Sequence, residues 1–239
     1  MLFTKAKKLC SNKNNYRFSR SISMSKFLKN TFYSTYLFML VVCLMALSGC
    51  STTSHKAVQP LLNKQTPQQR ITQLQQLHQW KIKGKIAFFE KDTRNSFTLL
   101  WQVDENKESQ QLKLNHYLGM NVLQLDSMAN NHKIQVDGKT YHGHNLERLI
   151  YSLTGLTLPT QALTFWLKGM PFQETDSISY QKTTQLPQTL SSHYNNELWQ
   201  VSYANYQQVD GYNLATKFSI KNDDLLIKIV INDWSITKK

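Results

Sequence analysis

Residues 80–88 read WKIKGKIAF, a stretch in which apolar and charged side chains alternate. Trp80, Ile82, Ile86 and Phe88 occupy one phase, three lysines occupy the other, and Gly84 interrupts the apolar phase. Because successive side chains of a β-strand point to opposite faces, this period of two predicts a half-buried antiparallel strand.

The same period of two recurs through much of the chain. It appears in residues 97–101, 112–116, 198–203 and 214–220, and shorter strands are predicted at 122–125 and 134–136. Asp137-Gly138 is a hairpin-turn dipeptide directly after the latter. Residues 225–234 form the last strand, and apolar residues in both of its phases predict that it is covered on both sides.

Three segments have the period of a helix instead. Thr66 followed by Pro67 and Gln69 is a capping-box start, and an apolar stripe of Ile71, Leu74 and Leu77 follows it. The second helix lies between the cap at 145 and the glycine at 155, and the third covers residues 159–168.

These elements predict a mainly β protein with helices (α+β). One antiparallel sheet of roughly nine to eleven strands curls into an incomplete β-barrel, and about three helices cover it. A curled sheet of this kind encloses an apolar cavity. The aromatic residues of the chain would either line that cavity or form an ordinary core.

The N-terminal part of the chain has the organisation of a secretory leader. Residues 36–47 are uncharged and apolar, too short for a bilayer-spanning helix of about 20 residues. Leu47-Ser48-Gly49-Cys50 follows and resembles the lipobox of bacterial lipoproteins. Residues 1–49 are therefore predicted to be a cleaved signal peptide, with Met24 as a candidate translation start. The alternative is a retained membrane anchor with a coincidental cysteine.

By the same resemblance, Cys50 would carry an S-diacylglycerol and an N-acyl chain, and no other cofactor is expected. Each buried methylene contributes about 0.8 kcal/mol, so two or three chains hold a protein on a membrane. Residues 50–65 are polar and aperiodic, which indicates a tether, and residues 66–239 are predicted to form one domain. Ser51, rather than aspartate, after the cysteine implies sorting to the outer membrane.

Removal of the leader changes the charge of the protein. The chain has 28 basic and 15 acidic residues, and residues 1–49 hold eight of the basic and none of the acidic ones. The mature part therefore carries a modest excess of positive charge, and a nucleic-acid partner is not expected. Two of the three cysteines also leave with the leader, so no disulfide is predicted.

The sequence contains few candidates for chemistry. His142 and His144 flank a glycine, and only a fold-back of His116 or His132 would complete a metal site, so no metal is predicted. Phosphate-binding loops, HExxH and nucleophile-elbow motifs are absent from the sequence, and an enzyme is not expected.

One predicted turn is unusually apolar. Tyr117, Leu118, Gly119 and Met120 lie between two alternating strands, where polar residues are usual. Such side chains either pack back onto the domain or face outward to meet lipid or a partner.

The mature chain resembles the LolB family of outer-membrane lipoproteins. Segments that carry the resemblance, in order, are residues 80–87, Leu100-Trp101-Gln102, Leu118-Gly119, Leu153-Thr154-Gly155 with Pro159, residues 166–171, residues 199–203 with Tyr206, and Asp233-Trp234. One departure is Tyr117, where family members often carry proline.

This resemblance implies an incomplete barrel whose cavity takes the acyl chains of client lipoproteins. The protein would receive clients from the periplasmic carrier LolA and insert them into the inner leaflet of the outer membrane without ATP, as a monomer. Leu118, in the membrane-insertion loop 117–120, would contact the membrane. Apolar periodicity suggests Trp101, Leu149, Leu163 and Trp166 as cavity residues. The alternatives are a lipid-anchored scaffold or assembly factor that binds no acyl chain, and an envelope hydrolase.

Overall fold

In the computed structural model the chain divides into two compact units, residues 1–55 and 56–239. The structure describes residue 39 and residues 65–91, 93–116, 119–223 and 225–237, nearly all of them in the second unit. The predictions about the leader, Met24, Cys50, nearly all of the tether, and the tip residues Tyr117 and Leu118 lie outside the described residues.

In the described residues, eleven antiparallel strands form one sheet, which confirms the predicted open antiparallel architecture. The strands are β1 (Gln79–Glu90), β2 (Thr93–Asp104), β3 (Ser109–Asn115), β4 (Asn121–Met128), β5 (Asn131–Val136), β6 (Lys139–Gly143), β7 (Ser177–Tyr180), β8 (Pro187–Tyr194), β9 (Glu197–Val209), β10 (Tyr212–Lys221) and β11 (Leu225–Ile236). Between residues 65 and 237, the described part of the chain also contains three α-helices: α1 (Pro67–Leu74), α2 (Leu146–Thr154) and α3 (Thr160–Lys168).

The first and last strands meet in the middle of the sheet. The strand order is β6-β5-β4-β3-β2-β1-β11-β10-β9-β8-β7, so β6 and β7 are the two edges. The connection between these edges contains α2 and α3. Because this single connection has to run from one edge to the other, its helices lie across one face of the sheet.

The predicted helix signals are confirmed at the atomic level. The Thr66 hydroxyl accepts a hydrogen bond from the Gln69 amide, and the Gln69 side chain accepts one from the Thr66 amide, as a capping box requires. The Asn145 side chain caps α2 through the Arg148 amide. Gly155 and Gly169 end α2 and α3 with φ values of 73° and 70°, in the left-handed region that favours glycine.

The apolar phase of the central strands forms the main core. Its largest fully buried members include Trp80, Ile82 and Trp199, and a smaller cluster joins β4 and β5 to α2. The prediction that β11 is covered on both sides was wrong. Its outer phase is open to solvent, and Val230 is 39% exposed there, since the helices cover only the other face.

Three strands were not predicted individually. The strand β6 was implied only by the hairpin turn at Asp137-Gly138, whereas no signal indicated β7 and β8. Their sequences are rich in serine and threonine, and the inward phase of β8 contains Ser192 between Leu190 and Tyr194. A period of two in hydrophobicity is therefore weak there. The segment of β8 is polar, and it forms a strand because it pairs with β9.

Arg70 joins α1 to the end of α3. Its guanidinium donates hydrogen bonds to the carbonyl oxygens of Lys168 (2.7 Å), Gly169 (2.9 Å) and Asn213 (3.2 Å). The side chain is only 3% exposed, and burial lowers the Arg70 pKa from its ordinary value. The positive charge lies at the negative end of the α3 dipole, so it also compensates carbonyls that the helix leaves unpaired.

We expect Arg70→Met to lower the free energy of unfolding by about 3 kcal/mol, because three buried acceptors lose their donor. Chemical denaturation followed by circular dichroism measures this difference. Arg148→Met, at an exposed arginine of α2, is the matched control and should change it by less than about 0.5 kcal/mol. Equal losses in the two variants would contradict a clamping role for Arg70.

Candidate functional site

A cavity of about 330 Å³ lies between the sheet and its helices. Its walls come from β1 to β5, from β11, and from α2, α3 and the segment that joins them. Apolar residues dominate the lining: Ile86, Phe88, Phe97, Trp101, Leu112, Leu114, Val122, Leu123, Leu125, Ile134, Val136, Ile150, Leu156, Leu158, Leu163, Ile227 and Ile229. The inner phase of consecutive strands thus forms one continuous apolar surface.

Several wall residues are not packed as a closed core would pack them. Phe88, Phe97, Leu112, Leu123 and the α2–α3 linker leucines are only partly buried, although they lie inside the ring of strands and helices. These side chains pack against the core on one side and border the open cavity on the other, as apolar residues of a ligand pocket do.

The polar groups of the cavity are few. Glu90, Asn95, Gln110, Thr154 and Thr160 complete the lining. The Gln110 side chain accepts a hydrogen bond of 3.1 Å from the indole nitrogen of Trp101, so the polar edge of that ring is satisfied and its apolar surface remains for the cavity.

The four residues suggested from apolar periodicity lie in two places. Trp101 and Leu163 lie on the cavity wall, where β2 faces α3. Leu149 and Trp166 do not lie on that wall, contrary to the expectation from apolar periodicity. Leu149 faces the edge strand β6 at Gly143, whereas Trp166 is fully buried against Tyr194 and Trp199.

Most of the cavity wall was not predictable from the sequence. The inner-phase residues of β3, β4 and β5 were assigned to strands but not to a cavity. The linker residues Leu156 and Leu158 have no period, so no pattern indicated them. Their position follows from the crossing of the α2–α3 connection over the open face.

The apolar turn is a tight hairpin between β3 and β4. The Gly119 amide donates to the His116 carbonyl (2.8 Å), and the His116 amide donates to the Met120 carbonyl (2.9 Å). Gly119 has φ of 84°, and the Met120 side chain is 60% exposed. The strands that lead into this turn carry the cavity residues Leu114 and Val122, so the turn continues directly from the cavity wall.

The described histidines that were candidates for a metal site do not form a cluster of three or more ligands. His132 contacts the Ser127 hydroxyl at 2.7 Å, and His144 lies 3.1 Å from the Asn130 carbonyl. Burial, and after it the charge of His144, lowers the His132 pKa. Within the described ranges, no group of three or more His, Cys, Asp or Glu side chains could hold a metal ion. None of the helices described here is long and apolar enough to cross a membrane.

The class that this architecture defines is an open antiparallel sheet with helices over an apolar cavity. A solved structure with this fold is a putative outer membrane lipoprotein-sorting protein domain from Vibrio parahaemolyticus, with a TM-score of 0.50. That match covers 72% of this chain and 90% of the other at 9% sequence identity, so it supports the fold alone.

The family profile described as outer membrane lipoprotein LolB matches residues 78–234. A relative from Tolumonas auensis, named outer-membrane lipoprotein LolB, is 32% identical over 83% of this chain and 96% of its own length. Another with the same name, from Aeromonas hydrophila subsp. hydrophila, is 30% identical over 82% and 94%. The chain belongs to the LolB family of outer-membrane lipoproteins and functions in lipoprotein localisation at that membrane.

Proposed function

We propose that this protein receives lipoproteins from the periplasmic carrier LolA, binds their acyl chains in the apolar cavity and inserts them into the outer membrane. The observation that carries this proposal is the cavity itself, an unfilled apolar volume of about 330 Å³ between the sheet and the helices. Aliphatic chains are the ligand class that such a lining favours, since it has few groups to satisfy a polar ligand.

Transfer of a client requires no chemical step in this proposal. At about 0.8 kcal/mol per buried methylene, a segment of ten methylenes contributes about 8 kcal/mol of binding free energy. Each tenfold difference in affinity between carrier and receptor corresponds to about 1.4 kcal/mol. A modest difference in cavity fit therefore suffices to drive transfer towards this protein and then to the membrane, without ATP.

The turn after β3 supplies the route out of the cavity. Leu114 and Val122 belong both to the cavity wall and to the strands that enter the 117–120 loop. We infer that this loop, with Leu118 at its tip, contacts the membrane during release. Cys50 and its acyl groups would keep the protein on the same membrane through the tether 50–65.

The direct test uses a leaderless form of residues 50–239 with Cys50→Ser. We expect it to remove a lipoprotein from purified LolA and to remain in solution with that client bound, as gel filtration can detect. Binding to LolA without transfer of the acylated client would contradict the proposal and would favour a lipid-anchored scaffold.

The cavity is tested separately by filling it. We expect Leu112→Trp, on the inner phase of β3, to reduce binding of a fluorescent fatty acid at least about tenfold, because the larger ring occupies the volume of the chain. Leu100→Trp is the matched control, since Leu100 is also partly buried but belongs to the outer phase of β2. Equal binding by the two variants would place the acyl chain elsewhere.

A further inference from the structure

The outer face of the sheet carries a patch that the cavity does not explain. Three rows of residues cross strands β2, β1, β11 and β10 near the turn between β1 and β2. In that strand order, the rows are Arg94, Phe89, Leu226 and Lys221; Ser96, Ala87, Lys228 and Ser219; and Thr98, Lys85, Val230 and Lys217. We refer to these twelve residues as the basic shoulder.

The basic shoulder combines positive charge with apolar surface. Its five cations are all exposed, none of its members is acidic, and its other side chains are apolar or hydroxyl-bearing. In the part of the chain that the structure describes, none of the five cations is ion-paired with a carboxylate. Surface lysines and arginines more often alternate with acidic residues, so a patch of one sign indicates an anionic partner.

Phe89 is the centre of this arrangement. The Arg94 guanidinium carbon and the Lys228 ammonium nitrogen each lie 5.2 Å from the centroid of the Phe89 ring, one from each neighbouring strand. Leu226, Ala87 and the 39%-exposed Val230 extend the apolar surface around the ring. An aromatic and aliphatic centre surrounded by cations fits the boundary between phosphate headgroups and acyl chains.

The position of the patch agrees with a membrane partner. The third row continues through Thr98 to Asn115 and Asn121, which flank the exposed turn that carries Met120. The basic shoulder and that turn therefore lie at the same end of the sheet. The protein is an outer-membrane lipoprotein, so a bilayer surface is the anionic partner that is always present.

We propose that the basic shoulder binds anionic phospholipid headgroups and thereby orients the domain with the 117–120 turn towards the bilayer. This interaction concerns headgroups rather than acyl chains, so it goes beyond the proposed transfer function. Each Lys or Arg near an anionic surface contributes about 1 kcal/mol, which corresponds to about a fivefold change in affinity. The interaction should weaken as salt rises, because exposed charges are screened.

The experiment uses residues 50–239 with Cys50→Ser, since the sheet, its helices and both core clusters lie within this segment. Co-sedimentation is measured with vesicles of phosphatidylcholine alone and with vesicles containing about one third phosphatidylglycerol. We expect clear preference for the anionic vesicles. Arg94→Gln, Lys221→Gln and Lys228→Gln together should weaken that binding about 100-fold.

A matched triple variant controls for net charge. Lys133→Gln, Arg148→Gln and Lys182→Gln also remove two lysines and one arginine, all exposed and outside the basic shoulder. We expect the affinity of this variant for the anionic vesicles to fall by less than about fivefold. Unchanged thermal unfolding midpoints in both triples would show that folding is intact, as expected for exposed side chains.

Three outcomes would overturn the proposal. The first is equal binding to neutral and anionic vesicles, and the second is an equal loss in both triple variants. The third is a shoulder variant that keeps its vesicle binding but loses binding to LolA, which would assign the patch to an acidic protein surface. Client transfer in solution does not involve vesicles, so failure here leaves the proposed function to its own test.

Discussion

Leu118→Glu is expected to accept clients from LolA at a rate within about twofold of that of the unmodified protein. The rate at which it inserts those clients into liposomes is expected to fall at least about tenfold. A carboxylate costs about 2.5–3.5 kcal/mol at the centre of a bilayer and less near its surface, so a loss of one to two orders of magnitude follows if the tip enters the membrane. Acceptance should be spared because the described cavity wall is made by strand and helix residues, of which Leu114 and Val122 lie nearest to the turn in sequence.

A control substitution at a second exposed leucine distinguishes an effect at the tip of the turn from a general effect of added negative charge. Leu198 on β9 is 43% exposed, and Leu198→Glu adds the same carboxylate at a site outside the turn and outside the basic shoulder. We expect Leu198→Glu to insert clients at the rate of the unmodified protein. Equal insertion by Leu118→Glu and the unmodified protein in the liposome assay would disprove the membrane role of the tip.

Gly84→Ala is expected to lower the free energy of unfolding by about 3 kcal/mol. A Cβ atom at this position would overlap the carbonyl oxygen of Val230 and lie 3.0 Å from the Cα of Ile231. These are backbone atoms of β11, so no side-chain rotation can relieve the contact. The register between β1 and β11 also shifts at Lys83/Gly84, which marks a β-bulge at the junction of the first and last strands.

Gly143→Ala is the matched substitution, also at a strand glycine. A Cβ at Gly143 would meet only the Leu149 side chain, at 3.5–3.6 Å, which is ordinary van der Waals contact. We expect this variant to change the free energy of unfolding by less than about 1 kcal/mol in urea denaturation. If Gly84→Ala unfolds at the same urea concentration as the unmodified domain, the close approach of β11 does not limit this site.

The local elements of this domain were predictable because their causes are local. A period of two marked β1 and β11, the Asp137-Gly138 turn joined β5 to β6, and capping residues marked both ends of α2. β8 was not predicted, since the energy that stabilises it comes from pairing with β9 rather than from its own hydrophobic pattern. The open outer face of β11 was mispredicted for a related reason, because apolar residues on one strand do not show which face receives a helix.

The site was predictable only in part. Trp101 and Leu163 lie on the cavity wall, but Trp166 has the same apolar helical spacing as Leu163 and packs into the closed core instead. The direction of α3 relative to the sheet decides between these two environments, and that direction depends on the length and path of the linker from α2. No periodicity in the sequence contains this information.

The sequence alone indicated the class of the protein. The indications were alternating strands around Gly84, three helical segments, a predicted lipobox at Cys50, an apolar segment at 117–120, and the order of motifs typical of the LolB family. The tertiary structure decided which apolar residues surround empty space and which fill the core, and it brought the separate cations of four strands into one basic shoulder. The physical reason is the distance along the chain over which each effect acts. Propensity and capping act over a few residues, whereas cavities and surface patches arise from strands paired across most of the chain.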